Sequence, residues 1–318
     1  MVKVHFLNVG HGDCMIIEHN SGRITMIDVN NGQDLDRTTA EELYPSFGLL
    51  AERIEIDELI GRNKYQILAE RGYDIALTNP IEYLKDHYPG ADLFRYIQTH
   101  PDLDHMRGLL ALGTAGIGIL NFWDTEHGKT PEFQSDADEQ DWKEYESYSE
   151  EKKNNKCLHL YRGDCGAFWN EEPKGVAGGD GISILSPTKE LVASANEAGD
   201  SNNLSYVIRL RYQGVTVIFG ADAGKDVWED LVDTYGEQLK CHVLKASHHG
   251  RDTGYHQDAV KLMSPEYTIV SVGKKPENDA SNKYRQYSKH VWSTRWKGNI
   301  TLEISDDGKG TINSEYDR

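Results

Sequence analysis

No uninterrupted apolar run in this 318-residue chain approaches the roughly 20 residues that a membrane-spanning helix requires. The opening Met1-Val2-Lys3-Val4-His5-Phe6-Leu7-Asn8 alternates like a strand instead of building a signal-peptide core, so a cytoplasmic protein without membrane contact is expected. Cysteine is scarce too: Cys14, Cys157, Cys165 and Cys241 are scattered without a Cys-x-x-Cys pair. That removes zinc-ribbon and thioredoxin-like readings and leaves reduced, buried or half-buried thiols. Positive charge is in short supply, since 52 acidic against 34 basic residues give a net charge of -18. Such a field repels polyanions and counts against tight nucleic-acid binding, although divalent cations would supply positive charge locally. A hydrophobic fraction of 38% and a charged fraction of 27% exclude a disordered or membrane protein and fit a soluble fold.

What is present is organised around Thr99-His100-Pro101-Asp102-Leu103-Asp104-His105. The segment follows the apolar and aromatic run Leu93-Phe94-Arg95-Tyr96-Ile97, and so reads as a loop of metal-ligand residue types at the carboxyl end of a strand. His100 and Asp102 alternate and are able to face one site, whereas the adjacent pair Asp104 and His105 projects differently and suits a neighbouring ion. Plain solvation would also account for such residues in a loop, and other strand ends shift the balance. Val215-Thr216-Val217-Ile218-Phe219 is continuous and apolar, as in a buried strand, and ends in Gly220-Ala221-Asp222, a carboxylate placed to bridge two cations. The short strand Cys241-His242-Val243-Leu244-Lys245 runs into Ala246-Ser247-His248-His249-Gly250, and paired histidines there favour ligands over core residues. Gly10-His11-Gly12-Asp13 is either a plain turn or a loop bordering a ligand, and Asp28 at a strand end is equally open.

The rest alternates strands and helices. Period-2 patterns mark strands from the first residues to about Asp28, at Ile117 to Trp123, at Gly181 to Pro187 and in the hairpin Leu204 to Phe219 turning at Gln213-Gly214. Later strands follow at Tyr267 to Gly273 and in a closing hairpin from Asn299 to Ile312. Between about 36 and 79 the spacing turns helical, with Leu43, Phe47 and Leu50 and then Leu59, Ile60, Ile67 and Leu68, and predicts an inserted helical pair. From about 124 to 179 an acidic stretch predicts a solvated helix or loop, with a lid over a cleft as the other possibility. One domain over 1–318 carrying these two insertions is expected.

Several segments now fall into an order. Phe6-Leu7-Asn8-Val9-Gly10-His11-Gly12-Asp13-Cys14, Met26-Ile27-Asp28-Val29, His100-Pro101-Asp102-Leu103-Asp104-His105, Asn202-Asn203-Leu204-Ser205, Gly220-Ala221-Asp222 and Leu244-Lys245-Ala246-Ser247-His248-His249-Gly250 resemble, in sequence order, the motifs of the metallo-β-lactamase superfamily. Within it they are most similar to the branch that includes the hydrolase domain of the DNA-uptake channel proteins ComEC and Rec2. The resemblance covers nearly the whole chain and implies an α/β fold, an αββα sandwich of two facing mixed β-sheets flanked by helices, with the site at one edge. It implies two divalent metal ions held by His100, Asp102, Asp104, His105, Asp222 and one of His248 and His249. The chain departs from the family at Asp102, where the hydrolases usually carry His, at Asn202-Asn203, near which they have a further His, and after Val272-Gly273, where the branch's His-Pro pair is absent. Oxygen ligands suit harder cations, so manganese competes with zinc.

The chemistry expected from such a pair is hydrolysis. Two ions about 3.5 to 4 Å apart lower the pKa of a shared water and polarise the scissile group. Asp104 and Lys245 are the candidate catalytic residues, Lys245 either stabilising an oxyanion or phosphate or merely carrying a solvated ammonium on a half-buried stem. Asp13, Asp28 or Asn202 are expected to support the histidines. A phosphodiesterase or nuclease-like enzyme acting on a small-molecule or nucleic-acid phosphodiester leads. An ester, thioester or lactam hydrolase on the same site is the alternative, and a weakly metallated binding module that meets a protein partner through its insertions is the third.

Overall fold

The structure is a computed structural model that describes residues 1–30, 32–35, 37–133, 135–170, 178–273 and 278–317. Asn31, Asp36 at the expected start of the helical insertion, and 171–177 of the acidic insertion therefore lie outside the described residues. The strands are β1 (Val2–Phe6), β2 (Met15–Glu18), β3 (Ile24–Ile27), β4 (Leu93–Ile97), β5 (Ile119–Asp124), β6 (Lys156–His159), β7 (Ile182–Ser186), β8 (Val207–Tyr212), β9 (Val215–Phe219), β10 (Val243–Lys245), β11 (Tyr267–Val270), β12 (His290–Ser293), β13 (Ile300–Ile304) and β14 (Gly310–Ser314). The helices are α1 (Arg37–Ser46), α2 (Arg53–Leu59), α3 (Lys64–Ala69), α4 (Pro80–His87), α5 (Leu109–Thr114), α6 (Asp136–Ser149), α7 (Lys189–Ala198), α8 (Lys225–Tyr235), α9 (Gln257–Met263), α10 (Ser281–Tyr284) and α11 (Thr294–Lys297).

Two mixed sheets result. One runs β14-β13-β1-β2-β3-β4-β5-β6 and the other β12-β11-β10-β9-β8-β7. The first is antiparallel from β14 to β3 and parallel from β3 to β6. In the second, β7, β8 and β9 are antiparallel while β9 to β12 run parallel. Strand alternation sorts the side chains: Val4, Phe6, Met15, Ile17, Ile27 and Ile97 meet Ile184, Ile208, Val217, Phe219 and Ile269 between the sheets. The opposite faces bury Ile16, Met26 and Tyr96 with the helices that carry Leu84, Leu109 and Trp142, and Ile218 and Leu244 with those that carry Trp228, Leu231 and Val260. Each fully buried large apolar side chain contributes about 1.5–3 kcal/mol, so the three apolar layers supply the main driving force. The architecture is the αββα sandwich.

Both insertions differ from expectation. Between 37 and 79 stand three short helices, not a pair; Leu43, Ile54, Ile67, Leu68 and Tyr73 form a small core of their own, while Leu50, Leu59 and Ile60 are exposed at 73%, 87% and 60%. The acidic run includes a helix, one of the two forms expected, but it is only partly solvated: Asp136, Glu146, Glu150 and Glu151 are exposed, whereas Asp138 and Glu144 are buried. Helix α6 buries Trp142, Tyr145 and Tyr148, Asp138 pairs with Arg107 at 2.7 Å, and Asp141 accepts from the N–H groups of Gly108 and Leu110 at 3.1 and 3.0 Å. Those last contacts place a carboxylate at the start of α5, where the helix dipole favours it. Cys165 is exposed, against the expectation for the thiols. No helix among the described residues is long and apolar enough to cross a membrane.

Candidate metal centre

The loops following β3, β4, β9 and β10 and the turn between β1 and β2 meet at one edge of the sandwich. Val29 N–H donates to the carbonyl of His105 at 3.0 Å and His248 N–H to that of Ala221 at 2.9 Å, joining loops within each sheet, and Tyr206 N–H donates to that of Thr99 at 2.9 Å, tying the two sheets' loops together. The β1–β2 turn closes over Asp104 at Gly12, whose φ is +136° and where a Cβ would lie 2.5 Å from the Asp104 carbonyl oxygen; only glycine fits. Four non-glycine residues at this edge hold left-handed backbone: Asp28, Ala221, His248 and His249, with φ of 55°, 46°, 49° and 52°. Strain of this kind persists where the surroundings dictate it, as at ligand-binding sites.

The loop after β4 is fixed from below. Gln98 donates to the carbonyls of His100 and His105 at 2.8 and 3.3 Å, and Tyr96 donates to that of His105 at 3.2 Å. Asp28 accepts from the Thr99 N–H at 2.8 Å and the Thr99 hydroxyl at 2.7 Å, and from His105 Nδ1 at 2.7 Å. Since the Thr99 hydroxyl is spent on Asp28, it accepts from His100 Nδ1 at 3.0 Å. His249 Nδ1 donates to the Ser271 carbonyl at 3.0 Å. Each of these Nδ1 bonds selects the same tautomer and leaves the Nε2 lone pair facing inward.

The inward atoms converge. His105 Nε2 lies 3.4 Å from Asp222 Oδ1, and His249 Nε2 lies 3.6 Å from Asp222 Oδ2 and 3.3 Å from Asp104 Oδ2. His100 Nε2 is 4.0 Å from Asp222 Oδ2 and 3.9 Å from Asp102 Oδ1. The Nε2 atoms of His100, His105 and His249 and Oδ1 of Asp222 are all buried and make no hydrogen bond among the described residues. Leaving such atoms unpaired costs about 1–3 kcal/mol each, and a cation coordinated among them removes that cost. The donor set fits a divalent metal ion.

The electrostatics agree. Burial raises the carboxyls of Asp104 and Asp222, but His105 and His249 outweigh it and hold both well below the usual range. Burial lowers the imidazoles of His105 and His249, yet the facing carboxylates, Asp222 foremost, lift both. The set attracts positive charge, whether proton or cation. His100 differs: burial, reinforced by His105, keeps its imidazole low.

His248 stands apart, with Nε2 accepting from Arg251 at 2.9 Å and Nδ1 bonded to the Thr253 hydroxyl at 2.8 Å; its Nε2 is 3.8 Å from Asp222. Adjacent histidines give sequence reasoning no means to choose between them, and the structure turns His249 inward. Lys245 is fully buried, its ammonium 2.7 Å from Asp13 Oδ2 and 3.2 Å from the Ala246 carbonyl. This differs from both expectations for it: no ammonium is solvated, and its bonds go to Asp13, which also lies 3.7 Å from His249. Asn203 clamps its own loop, donating to Asp200 at 3.0 Å and accepting from Gly224 N–H at 3.1 Å, and Asn202 donates its N–H to Asp200 at 3.1 Å. His11 was left open by the sequence. Its ring centroid is 4.7 Å from that of His249, and His11, Asp104 and His249 together offer ligand atoms within 4.8 Å of one another.

No family model matches the chain. Among curated proteins it is 27% identical over 121 residues to the competence protein ComA of Neisseria gonorrhoeae, across 36% of this chain and 17% of that protein. It is 25% identical over 133 residues to the ComE operon protein 3 of Bacillus subtilis, across 42% of this chain and 15% of that protein. The matches thus span less than a fifth of either relative's length. Among solved structures, the metallo-β-lactamase fold protein YhfI of Bacillus subtilis aligns over 98% of this chain and 100% of its own, at 10% identity and a TM-score of 0.47. A variant of the CmlA β-hydroxylase aligns over 95% and 54%, at the same identity and TM-score. In sequence, then, the chain is similar over part of its length to two competence-related proteins, and the motifs it gathers at the sheet edge are the ones that resemble those of the metallo-β-lactamase superfamily.

Proposed function

We propose that the chain is a metal-dependent phosphodiesterase, nuclease-like in substrate class, with Asp104, His105, Asp222 and His249 as principal metal ligands and His100 and Asp102 completing the centre. The observation that carries this reading is the convergence of buried, unbonded imidazole nitrogens on Asp222. A bound divalent cation supplies Lewis acidity and an acidified water. The chain's own residues do the rest. Asp28 orients His105 directly and His100 through Thr99, the Ser271 carbonyl orients His249, and the buried pair of Lys245 and Asp13 braces the floor beneath His249. Lys245 is therefore a positioning residue in this reading.

The similarity to competence proteins supports a phosphodiester substrate. So does a cleft of about 640 Å³ whose lining includes Arg285, Lys297, Trp292 and Trp296 together with the carboxylates of Glu42, paired with Arg295 at 2.9 Å, and Asp279, and whose walls at 270–272 and 279–281 also bond the His249–Asp252 loop. Cations beside indoles suit a phosphate next to a flat base, and on a chain of net charge -18 this combination is local. The same net charge favours the second reading, an ester, thioester or lactam hydrolase, whose substrates carry less negative charge. One experiment separates them: metal-loaded protein is offered bis-p-nitrophenyl phosphate, single-stranded DNA and a chromogenic lactam. Turnover of the phosphodiesters, abolished in Asp222→Asn, supports the proposal, and turnover of the lactam alone overturns it. Absence of turnover and of bound metal would favour a binding module that uses its insertions.

A further inference from the structure

We propose that the chain carries a separate zinc site, distinct from the centre at the sheet edge, in which Asp124, Cys157 and His159 hold the ion. The three residues come from neighbouring strands. β5 and β6 run parallel with Phe122 opposite Cys157 and Asp124 opposite His159, so Cys157 and His159, two positions apart, share a face with Asp124. A carboxylate oxygen, the thiol sulfur and an imidazole nitrogen of these residues lie within 4.8 Å of one another. The spacing suits zinc: Cys157 Sγ stands 3.7 Å from His159 Nε2. A tetrahedral zinc bound at about 2.3 Å to sulfur and about 2.0–2.1 Å to nitrogen sets such a pair about 3.5–3.6 Å apart, so the ion fits with little movement of either side chain.

A thiol–imidazole hydrogen bond would account for that pair alone, but not for the carboxylate beside it. Asp124 is 1% exposed and, among the described residues, is paired with no lysine or arginine; burial pushes its carboxyl up, against the pull of Tyr145 and His127. Buried carboxylates are ordinarily matched by a cation or a metal. Its orientation is fixed from α6 and its own loop: the Tyr145 and Ser149 hydroxyls donate to Oδ2 at 2.7 and 2.8 Å, and Thr125 N–H donates to Oδ1 at 2.9 Å. A carboxylate has about four acceptor positions, so one is left for an ion. His127 is not a further ligand, because its ring nitrogens are engaged by Lys129 N–H at 3.1 Å and by the Tyr145 hydroxyl at 2.6 Å. Three protein donors leave a fourth position to solvent on the side of His159, which is exposed. Sulfur and imidazole favour zinc over manganese or magnesium. Burial and Asp124 keep the Cys157 thiol protonated without metal, so binding releases that proton to solvent. The ion would join β6, the last strand of the larger sheet, to β5.

Cobalt(II) is the probe, because a thiolate ligand gives it a near-ultraviolet charge-transfer band that imidazole and carboxylate ligands do not. Native protein titrated with cobalt is expected to show the band, and added zinc to bleach it. The band is expected to persist in Asp222→Asn and in Cys165→Ser, which separates this site from the centre at the sheet edge and from the exposed thiol. It is expected to vanish in Cys157→Ser. In His159→Ala, at an exposed position, the cobalt dissociation constant read from the band is expected to rise at least about tenfold. Absence of the band in native protein, its survival in Cys157→Ser, its loss in Asp222→Asn or Cys165→Ser, or an unchanged dissociation constant in His159→Ala would overturn the proposal. The turnover assay that tests the phosphodiesterase reading is independent of these outcomes.

Discussion

Asp28 is the residue on which most of the centre hangs, since it fixes His105 outright and His100 by way of Thr99. Carboxylates that orient metal-binding histidines are worth about 10–100-fold in affinity. Asp28→Ala is accordingly expected to weaken metal binding by that factor while the fold persists, as read by titration with a competing chelator. The Lys245–Asp13 pair behaves differently because both partners are fully buried. Removing one charge strands the other, at about 3–5 kcal/mol, so Lys245→Met is expected to lose that much in urea unfolding and Lys245→Met/Asp13→Asn to recover a large part of it. At this scale the sequence was informative wherever a candidate ligand follows a strand: His100, Asp104, His105 and Asp222, which come together at one sheet edge, each sit past an apolar run. It was silent on Lys129, whose ammonium bonds the Asp102 carboxylate, because a lysine in a polar stretch carries no period and that partner lies 27 positions away.

Among the elements, α6 shows how a polar pattern hides a packed helix. It presents Trp142, Tyr145 and Tyr148 to the first sheet and keeps its acids for specific partners. Counting charge saw only a solvated run, since the aromatic positions are few and widely spaced among carboxylates. Truncating Trp142 to Ala is expected to cost about 3–5 kcal/mol by thermal or urea unfolding, the range for a large core aromatic. The Ser135 hydroxyl, which accepts from Asp138 N–H at 3.2 Å, caps the same helix, and Ser135→Ala is expected to cost about 1 kcal/mol by the same measurement. Strands were the legible elements: alternation marked most of them correctly, including the β8–β9 hairpin with left-handed Gln213 and Gly214. It passed over β12, where His290 and Trp292 bracket a single valine, and β6, an edge strand with little apolar content.

For the molecule as a whole, the sandwich buries two histidines far from the centre, and they set a pH response. His5 contacts the Tyr83 and Tyr88 hydroxyls at 3.0 and 3.1 Å, and burial, aided by His87 and Lys3, pushes its imidazole down to about 4. Burial likewise takes His19, bonded to Thr25 at 2.8 Å, down to about 4. Above the ordinary value of 6.5 both are neutral folded or unfolded. Between there and about 4 only the unfolded chain takes up the protons, so stability falls as the pH drops, by about 2 kcal/mol per histidine on reaching pH 5. His105 and His249, whose imidazoles are lifted, contribute with the opposite sign in every variant, so the readout is the difference: urea unfolding at pH 7.5 and 5 is expected to show a less favourable change in native protein than in His5→Gln/His19→Gln.

The position of β1 has its own consequence. It lies inside the larger sheet, paired on one side with β2 and on the other with β13, almost three hundred positions along the chain. Until that distant partner docks, a row of amide and carbonyl groups stands open beside Val2–Phe6, ready to recruit any stray extended peptide. A ribosome-bound fragment short of β13 would thus be adhesive, and self-association of the nascent protein should cease once the final hairpin has emerged.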